Sequence, residues 1–261
     1  MTTLNATIYS EQLMRKVNIF AVIPDKVETA FNKQTEKEEV VPFKTLYLLH
    51  GWSGHYMDWV HNSRIVEWAE EYNLAVIMPS GENGFYVDHP HHNNFGSFIG
   101  EELVNVTRQL FPLSNKREDT FIGGLSMGGF GALRNGYTYS DTFSKIIALS
   151  SRVFSKEDNT FHDLTEDTPI NRSLWPLIPS KTYRDLPDTM DTYALIKQTK
   201  NKPALYLACG TDDHLIRENE VFHNWLIQNG FDHEYREEPG DHNWDFWNTF
   251  LLDALPWLVE K

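Results

Sequence analysis

A chain of 261 residues, 41 % of them hydrophobic, is long enough for one α/β domain that buries a sizeable core without a disulfide or metal staple. Its formal net charge of −14 excludes the basic face that nucleic acid or an anionic membrane surface requires, and solubility alone accounts for the acidity. The single cysteine, Cys209, excludes a disulfide framework and a Cys-x-x-Cys metal site, and its apolar run Leu205–Cys209 marks it as a buried structural thiol. The N-terminus has no basic start followed by an apolar core, and no apolar run is long enough to span a bilayer. A soluble cytoplasmic protein with no membrane partner is the expectation.

In chain order, Thr7–Ser10 and Lys16–Pro24 read as an antiparallel opening pair of strands. Asp25–Pro42 is polar and rich in Glu and Lys, a surface loop. Thr45–His50 is a nearly continuous apolar strand, as expected where helices cover both faces of a sheet. Ile65, Trp68, Ala69 and Tyr72 recur at helical spacing, and Ala75–Met78 is the next buried strand. Phe98–Phe111 reads as one helix, with Ile99, Leu103, Val106 and Leu110 on a stripe and Glu101 and Glu102 in its first turn. Further strands are expected at Thr120–Ile122, Lys145–Leu149, Leu205–Cys209 and His233–Glu238. Helices are expected after Ser126, over Glu220–Asn229 with Gly230 as its stop, and across Trp247–Leu258. Strands alternating with helices predict a mostly parallel sheet of about eight strands in a single domain over 1–261. Ser151–Asn201, with four prolines and scattered aromatics including Phe161 and Trp175, is too long for a plain loop. It is expected to be a cap-like insertion packed over the site, with Asp188 and Asp191 as surface residues.

Chemistry concentrates at Gly124-Leu125-Ser126-Met127-Gly128, a G-x-S-x-G between a β-like run and a helix-compatible one. That is the setting of a nucleophile elbow, in which a strained turn lifts the serine hydroxyl over the sheet edge and the neighbours must stay small. A serine hydroxyl needs a base, and the base needs an orienting acid. In the order Ser, acid, His, the acid should follow a strand after the elbow, where Asp212 and Asp213 both qualify. The base should lie between the last strand and the last helix, which selects His242, with His214 as its rival. Two backbone N–H groups must hold the oxyanion, and Met127 and Trp52 are placed to supply them. His50 is read as a structural histidine holding the Trp52 loop. Trp52, Phe130 and Trp175 are the aromatics expected to touch substrate. The His-rich run Asp88–Asn94 lacks the spacing of a zinc pair and is read as a solvated loop, so no metal and no cofactor is expected.

Leu48-Leu49-His50-Gly51, Asp58-Trp59, Gly124–Gly129, Cys209–Asp213 and Gly240–Trp244 occur in the order found in the esterase D family, which the chain resembles over nearly its whole length. That family includes S-formylglutathione hydrolases, tributyrin esterases, feruloyl esterases and mycolyltransferases; the likeness is greatest to tributyrin-esterase-type carboxylesterases of Gram-positive bacteria. The resemblance implies an α/β-hydrolase fold and hydrolysis of short-chain acyl esters through an acyl-enzyme. A thioesterase, feruloyl esterase or acyltransferase using the same triad is the alternative. The family's G-x-x-D implies Asp213 rather than Asp212 as the acid. Ala208-Cys209-Gly210 stands where the glutathione branch has Asp-Gln-Gly, which weighs against a glutathione thioester. A small-molecule ester is the implied partner, and self-association is common among such proteins, which leaves a homo-oligomer open.

Overall fold

Six- and five-residue runs with almost no polar side chain make the centre of the molecule. The computed structural model describes residues 1–24, 41–90, 93–157 and 163–260. Among them β1 (Thr2–Ser10), β2 (Arg15–Ile23), β3 (Lys44–Leu49), β4 (Leu74–Pro79), β7 (Thr120–Leu125), β8 (Lys145–Leu149), β9 (Ala204–Gly210) and β10 (Glu234–Glu238) form one eight-stranded sheet. A separate two-stranded ribbon joins β5 (Asp88–His89) and β6 (Asn93–Asn94). The large sheet runs β1-β2-β4-β3-β7-β8-β9-β10. The β1–β2 and β2–β4 pairs are antiparallel and all the others parallel.

Period-two alternation splits the core into two layers. On β3, Tyr47 and Leu49 join the layer that holds α5 (Met127–Thr138). Leu46 and Leu48 join the opposite layer, with α2 (Ile65–Glu71) and α9 (Trp244–Val259). This two-sided cover is why the central strands carry no alternating polar face. A short helix not anticipated from sequence, α1 (Asp58–Asn62), is seated by Trp59, whose indole N–H donates to the Leu49 carbonyl at 3.1 Å.

Two helices differ from their sequence patterns. Phe98–Phe111 is not one α-helix: α3 (Phe95–Ser97) and a π-helical turn, Phe98–Glu102, precede α4 (Leu103–Leu110). The Glu102 carboxylate accepts from Ser10 Oγ and from the Glu11 amide, tying this turn to the β1–β2 turn. α8 (Ile216–Gln228) begins earlier than expected because Glu218 and Asn219, polar in sequence, are buried by partners distant in the chain.

Between β8 and β9 lie α6 (Pro169–Leu174), a single 3₁₀ turn, Tyr183–Asp185, and α7 (Thr192–Gln198). Asp191 is not the surface residue expected. It is 4 % exposed and caps α7, accepting from the Tyr193 and Ala194 amides at 3.1 Å each. Asp188 is exposed and pairs with Lys156. No helix among the described residues is long and apolar enough to cross a membrane. The expected loop over residues 25–40, His91 and His92 of the His-rich run, and Phe161 lie outside the described residues.

Candidate active site

Register brings the functional segments to one sheet edge. Leu125 pairs with Leu149, Leu149 with Ala208, and Gly210 with Glu238, so the C-terminal ends of β7, β8, β9 and β10 align. In an open parallel sheet this edge is where ligands bind.

Ser126 sits between β7 and α5 with φ 53° and ψ −117°, a conformation that L-residues avoid. The backbone holds it there. Its amide donates to the Leu149 carbonyl at 2.9 Å, and its carbonyl accepts from the Phe130 amide at 3.2 Å and the Arg152 amide at 3.3 Å. A Cβ on Gly124 would lie 2.4 Å from the Gly128 carbonyl oxygen, and one on Gly128 would lie 2.5 Å from that of Leu49. Both glycines are therefore required by backbone-to-backbone approach. Met127 opens α5, where amides have no partner within the helix and the dipole favours negative charge.

The loop after β3 faces this turn. His50, 1 % exposed, holds it: its Nε2 accepts from the Gly81 amide at 2.9 Å, so Nδ1 carries the proton and donates to the Gly51 carbonyl at 2.7 Å. Burial lowers its pKa, and both ring nitrogens are engaged in this structural role. Phe85 and Tyr86 also hold positive φ, 52° and 56°, and the Tyr86 hydroxyl donates to the His50 carbonyl at 2.9 Å. The sequence carried no sign of this second strained segment, because neither residue is a glycine or asparagine.

The loops that carry Asp213 and His242 cross at Gly210 and Gly240. A Cβ on Gly210 would lie 2.2 Å from the Gly240 carbonyl oxygen, and the Asp212 amide donates to that oxygen at 2.9 Å. Asp213, 1 % exposed, thereby meets His242, whose Nδ1 lies 3.0 and 2.9 Å from its two carboxylate oxygens. Asp212 points to solvent. Desolvation pushes the Asp213 pKa up, but the hydrogen bond and charge of His242, the Leu215 amide and the Ser150 hydroxyl together hold it below the usual carboxylate value. An ionised carboxylate only accepts, so Nδ1 of His242 bears the proton and Nε2 of the neutral ring is free to act as a base. Trp247 packs edge-on to the His242 ring at 5.0 Å and donates its indole N–H to Ser150 Oγ at 3.0 Å. Ser126 Oγ and His242 are not hydrogen-bonded to one another; catalytic hydrogen bonds of this kind commonly tighten only in the complex with substrate.

A cavity of about 370 Å³ opens at Ser126, with Trp52, Phe85, Met127, His214 and Leu215 beside it. Its remaining wall comes from the segment after β8: Arg152, Asp163, Glu166, Thr168, Ile170 and Asn171. None of these six was singled out in sequence, because their approach to Ser126 depends on long-range folding. Phe130 does not line the cavity. It is fully buried behind it, 4.7 Å from Phe154 and 6.2 Å from Phe85, centroid to centroid. Trp175 does not line it either: its indole N–H donates to the Leu164 carbonyl at 2.9 Å, under the Lys181 ammonium. His214 lies on the cavity side of Asp213, its ring 4.5 Å from that of His242. Cys209 is buried in β9, where desolvation raises its thiol pKa far above neutrality and keeps it inert.

Residues 10–258 match the Esterase family, described as putative esterase. The chain is 40 % identical over 264 residues to an acetyl esterase of Caldicellulosiruptor saccharolyticus, spanning 99 % of this chain and 98 % of that one. It is similar to the solved structure of FphF, a fluorophosphonate-binding serine hydrolase of Staphylococcus aureus with substrate bound, with a TM-score of 0.86 and 28 % identity over 100 % of this chain and 99 % of that one. The S-formylglutathione hydrolase FrmB of the same organism gives a TM-score of 0.83 and 29 % identity, over 99 % of both chains. Fold, elbow and these likenesses define a serine esterase of the α/β-hydrolase fold. The chain belongs to the putative esterase family, in its esterase D-like group.

Proposed function

We propose that this protein is a carboxylesterase for short acyl chains, working through an acyl-enzyme on Ser126. His242 Nε2 takes the Ser126 proton as Oγ attacks the ester carbonyl. The oxyanion is held by the amides of Trp52 and Met127. His242 then protonates the leaving alcohol and next activates the water that releases the acid. Asp213 fixes the His242 tautomer and stabilises the imidazolium. The observation that carries this reading is the half-buried His242 held by the buried Asp213, set on the same sheet edge as the strained Ser126. The cavity volume of about 370 Å³ suits a small ester, and the acetyl esterase relative supports a short acyl group. Residues 151–201 act as a cap over that cavity.

The carboxylates of Asp163 and Glu166 on the cavity wall weigh against a glutathione thioester, whose peptide brings carboxylates of its own to the same place. p-Nitrophenyl acetate and butyrate should therefore be hydrolysed faster than S-formylglutathione. Ser126→Ala should lower kcat by on the order of 10⁵–10⁶. Undiminished hydrolysis by that variant refutes the assignment.

A further inference from the structure

Beside the pair that orients the base stands a third donor with no part in the reaction above. His214 is 64 % exposed at its side chain, and its Nδ1 lies 3.6 Å from Asp213 Oδ1. His242 Nδ1 lies 2.9 Å from Asp213 Oδ2. One donor atom from each of Asp213, His214 and His242 falls within 4.8 Å of the other two, and among the described residues this is the group able to share an ion. Tetrahedral zinc with bonds near 2.0–2.1 Å needs donors about 3.3 Å apart. On the shared oxygen Asp213 Oδ1 the two separations, 3.6 Å to His214 Nδ1 and 3.0 Å to His242 Nδ1, bracket that value, and the donor nitrogens of the two imidazoles stand within 4.8 Å of each other, so closing the site asks the exposed His214 ring to turn toward His242.

We propose that Asp213, His214 and His242 form an inhibitory site for a divalent transition metal, with zinc the best fit. Two imidazoles and a carboxylate are a zinc donor set, and the fourth position stays open to water. The ion enters from the His214 side, which faces solvent. It displaces the proton that His242 Nδ1 shares with Asp213, and Nε2 takes up a proton from solvent in its place, so the ring stays neutral with its hydrogen moved from one nitrogen to the other. A neutral imidazole bound to metal through Nδ1 carries its hydrogen on Nε2. The lone pair that would accept the Ser126 proton is then gone. The metal therefore stops the base without touching the serine. Coordination depends only on the three side chains; the inhibition rests on the esterase reading.

Zinc chloride is titrated against ester hydrolysis by the wild type and by His214→Asn, each normalised to its own zinc-free rate. Zinc uptake is measured calorimetrically on Ser126→Ala and Ser126→Ala/His214→Asn. Zinc should silence the wild type reversibly, with activity restored by chelator. His214→Asn should need more than about a hundredfold more zinc, since loss of a direct ligand exceeds the roughly ten- to hundredfold cost of losing a group that only supports one. Ser126→Ala should take up one more zinc per chain than the double variant. Cobalt should give it a tetrahedral visible spectrum that the double variant lacks. The surface pair His223–His233, whose Nδ1 and Nε2 are 2.7 Å apart, would bind equally in both proteins and cancels in the difference. Equal uptake and equal spectra overturn the site. Zinc uptake that leaves wild-type hydrolysis untouched overturns the inhibition. Were no ester hydrolysed at all, uptake and spectrum would still decide the site separately from the proposed activity.

Discussion

At Asp213 two opposing effects set the charge. Burial alone would neutralise the carboxyl; the hydrogen bond and charge of His242, the Leu215 amide at 2.8 Å and the Ser150 hydroxyl outweigh it and hold it ionised. Asp213→Asn should therefore reduce kcat by about 10⁴, the scale seen when the orienting acid of such a triad is neutralised, whereas exposed Asp212→Asn should change it little. Steady-state kinetics of the two variants checks this, and equal losses would return the choice of acid to Asp212. Stability carries the same signature. Because the folded pKa of Asp213 lies below its unfolded value near 3.9, the ion stabilises the fold above about pH 4, and that contribution fades as pH falls through the depressed value. Urea midpoints measured at decreasing pH should fall more steeply for the wild type than for Asp213→Asn.

Elements show which parts of the site the sequence could reveal. The elbow was legible because its constraint is local: Gly124 and Gly128 are required by contacts within a few residues of Ser126 and with the end of the adjacent strand. The meeting of His242 with Asp213 was legible because each follows a strand in the expected order. That Phe130 and Trp175 stand away from the cavity was not: an aromatic expected at the site turns inward when other rings surround it, as Phe85 and Phe154 do for Phe130. Two substitutions test the elements that position the reacting groups. Gly128→Ala would force a Cβ against the Leu49 and His50 carbonyl oxygens, at 2.5 and 2.6 Å. It should cost on the order of 1–3 kcal/mol and abolish fluorophosphonate labelling of Ser126, with far-UV circular dichroism retained. Asn243 is the residue after His242, and its side chain caps α9 by accepting from the Phe246 amide at 3.1 Å. Asn243→Ala should lower stability by about 1 kcal/mol and also lower kcat, because fraying of α9 loosens both His242 and the Trp247 that packs on it. Urea unfolding and steady-state kinetics read the two effects separately.

Across the whole molecule, residues 151–201 are joined to α8 by a buried ion pair. Arg152, just past β8, donates from Nη1 to Glu218 on α8 at 2.9 Å and from Nη2 to the Tyr183 hydroxyl at 3.2 Å, and its guanidinium lies 5.0 Å from the Phe154 ring. Glu218 also accepts from the Val153 amide. The pair spans 66 residues of sequence, which is why neither partner announced itself: each is an ordinary charged residue until folding removes water from both. Arg152 belongs to the cavity wall, so the same contact links stability to the shape of the cavity. Removing one partner leaves a buried charge uncompensated, which costs about 3–5 kcal/mol, whereas replacing both by apolar side chains of similar volume is often neutral or stabilising. Glu218→Leu should accordingly lower the urea midpoint sharply, and Arg152→Met/Glu218→Leu should recover most of that loss. Activity should not follow stability: the recovered double variant still lacks the guanidinium at the cavity wall and should keep a raised KM for ester with kcat less affected. If the double variant regained wild-type KM together with its stability, Arg152 would serve only to anchor the segment, and the cap would contribute shape but no polar contact to the substrate.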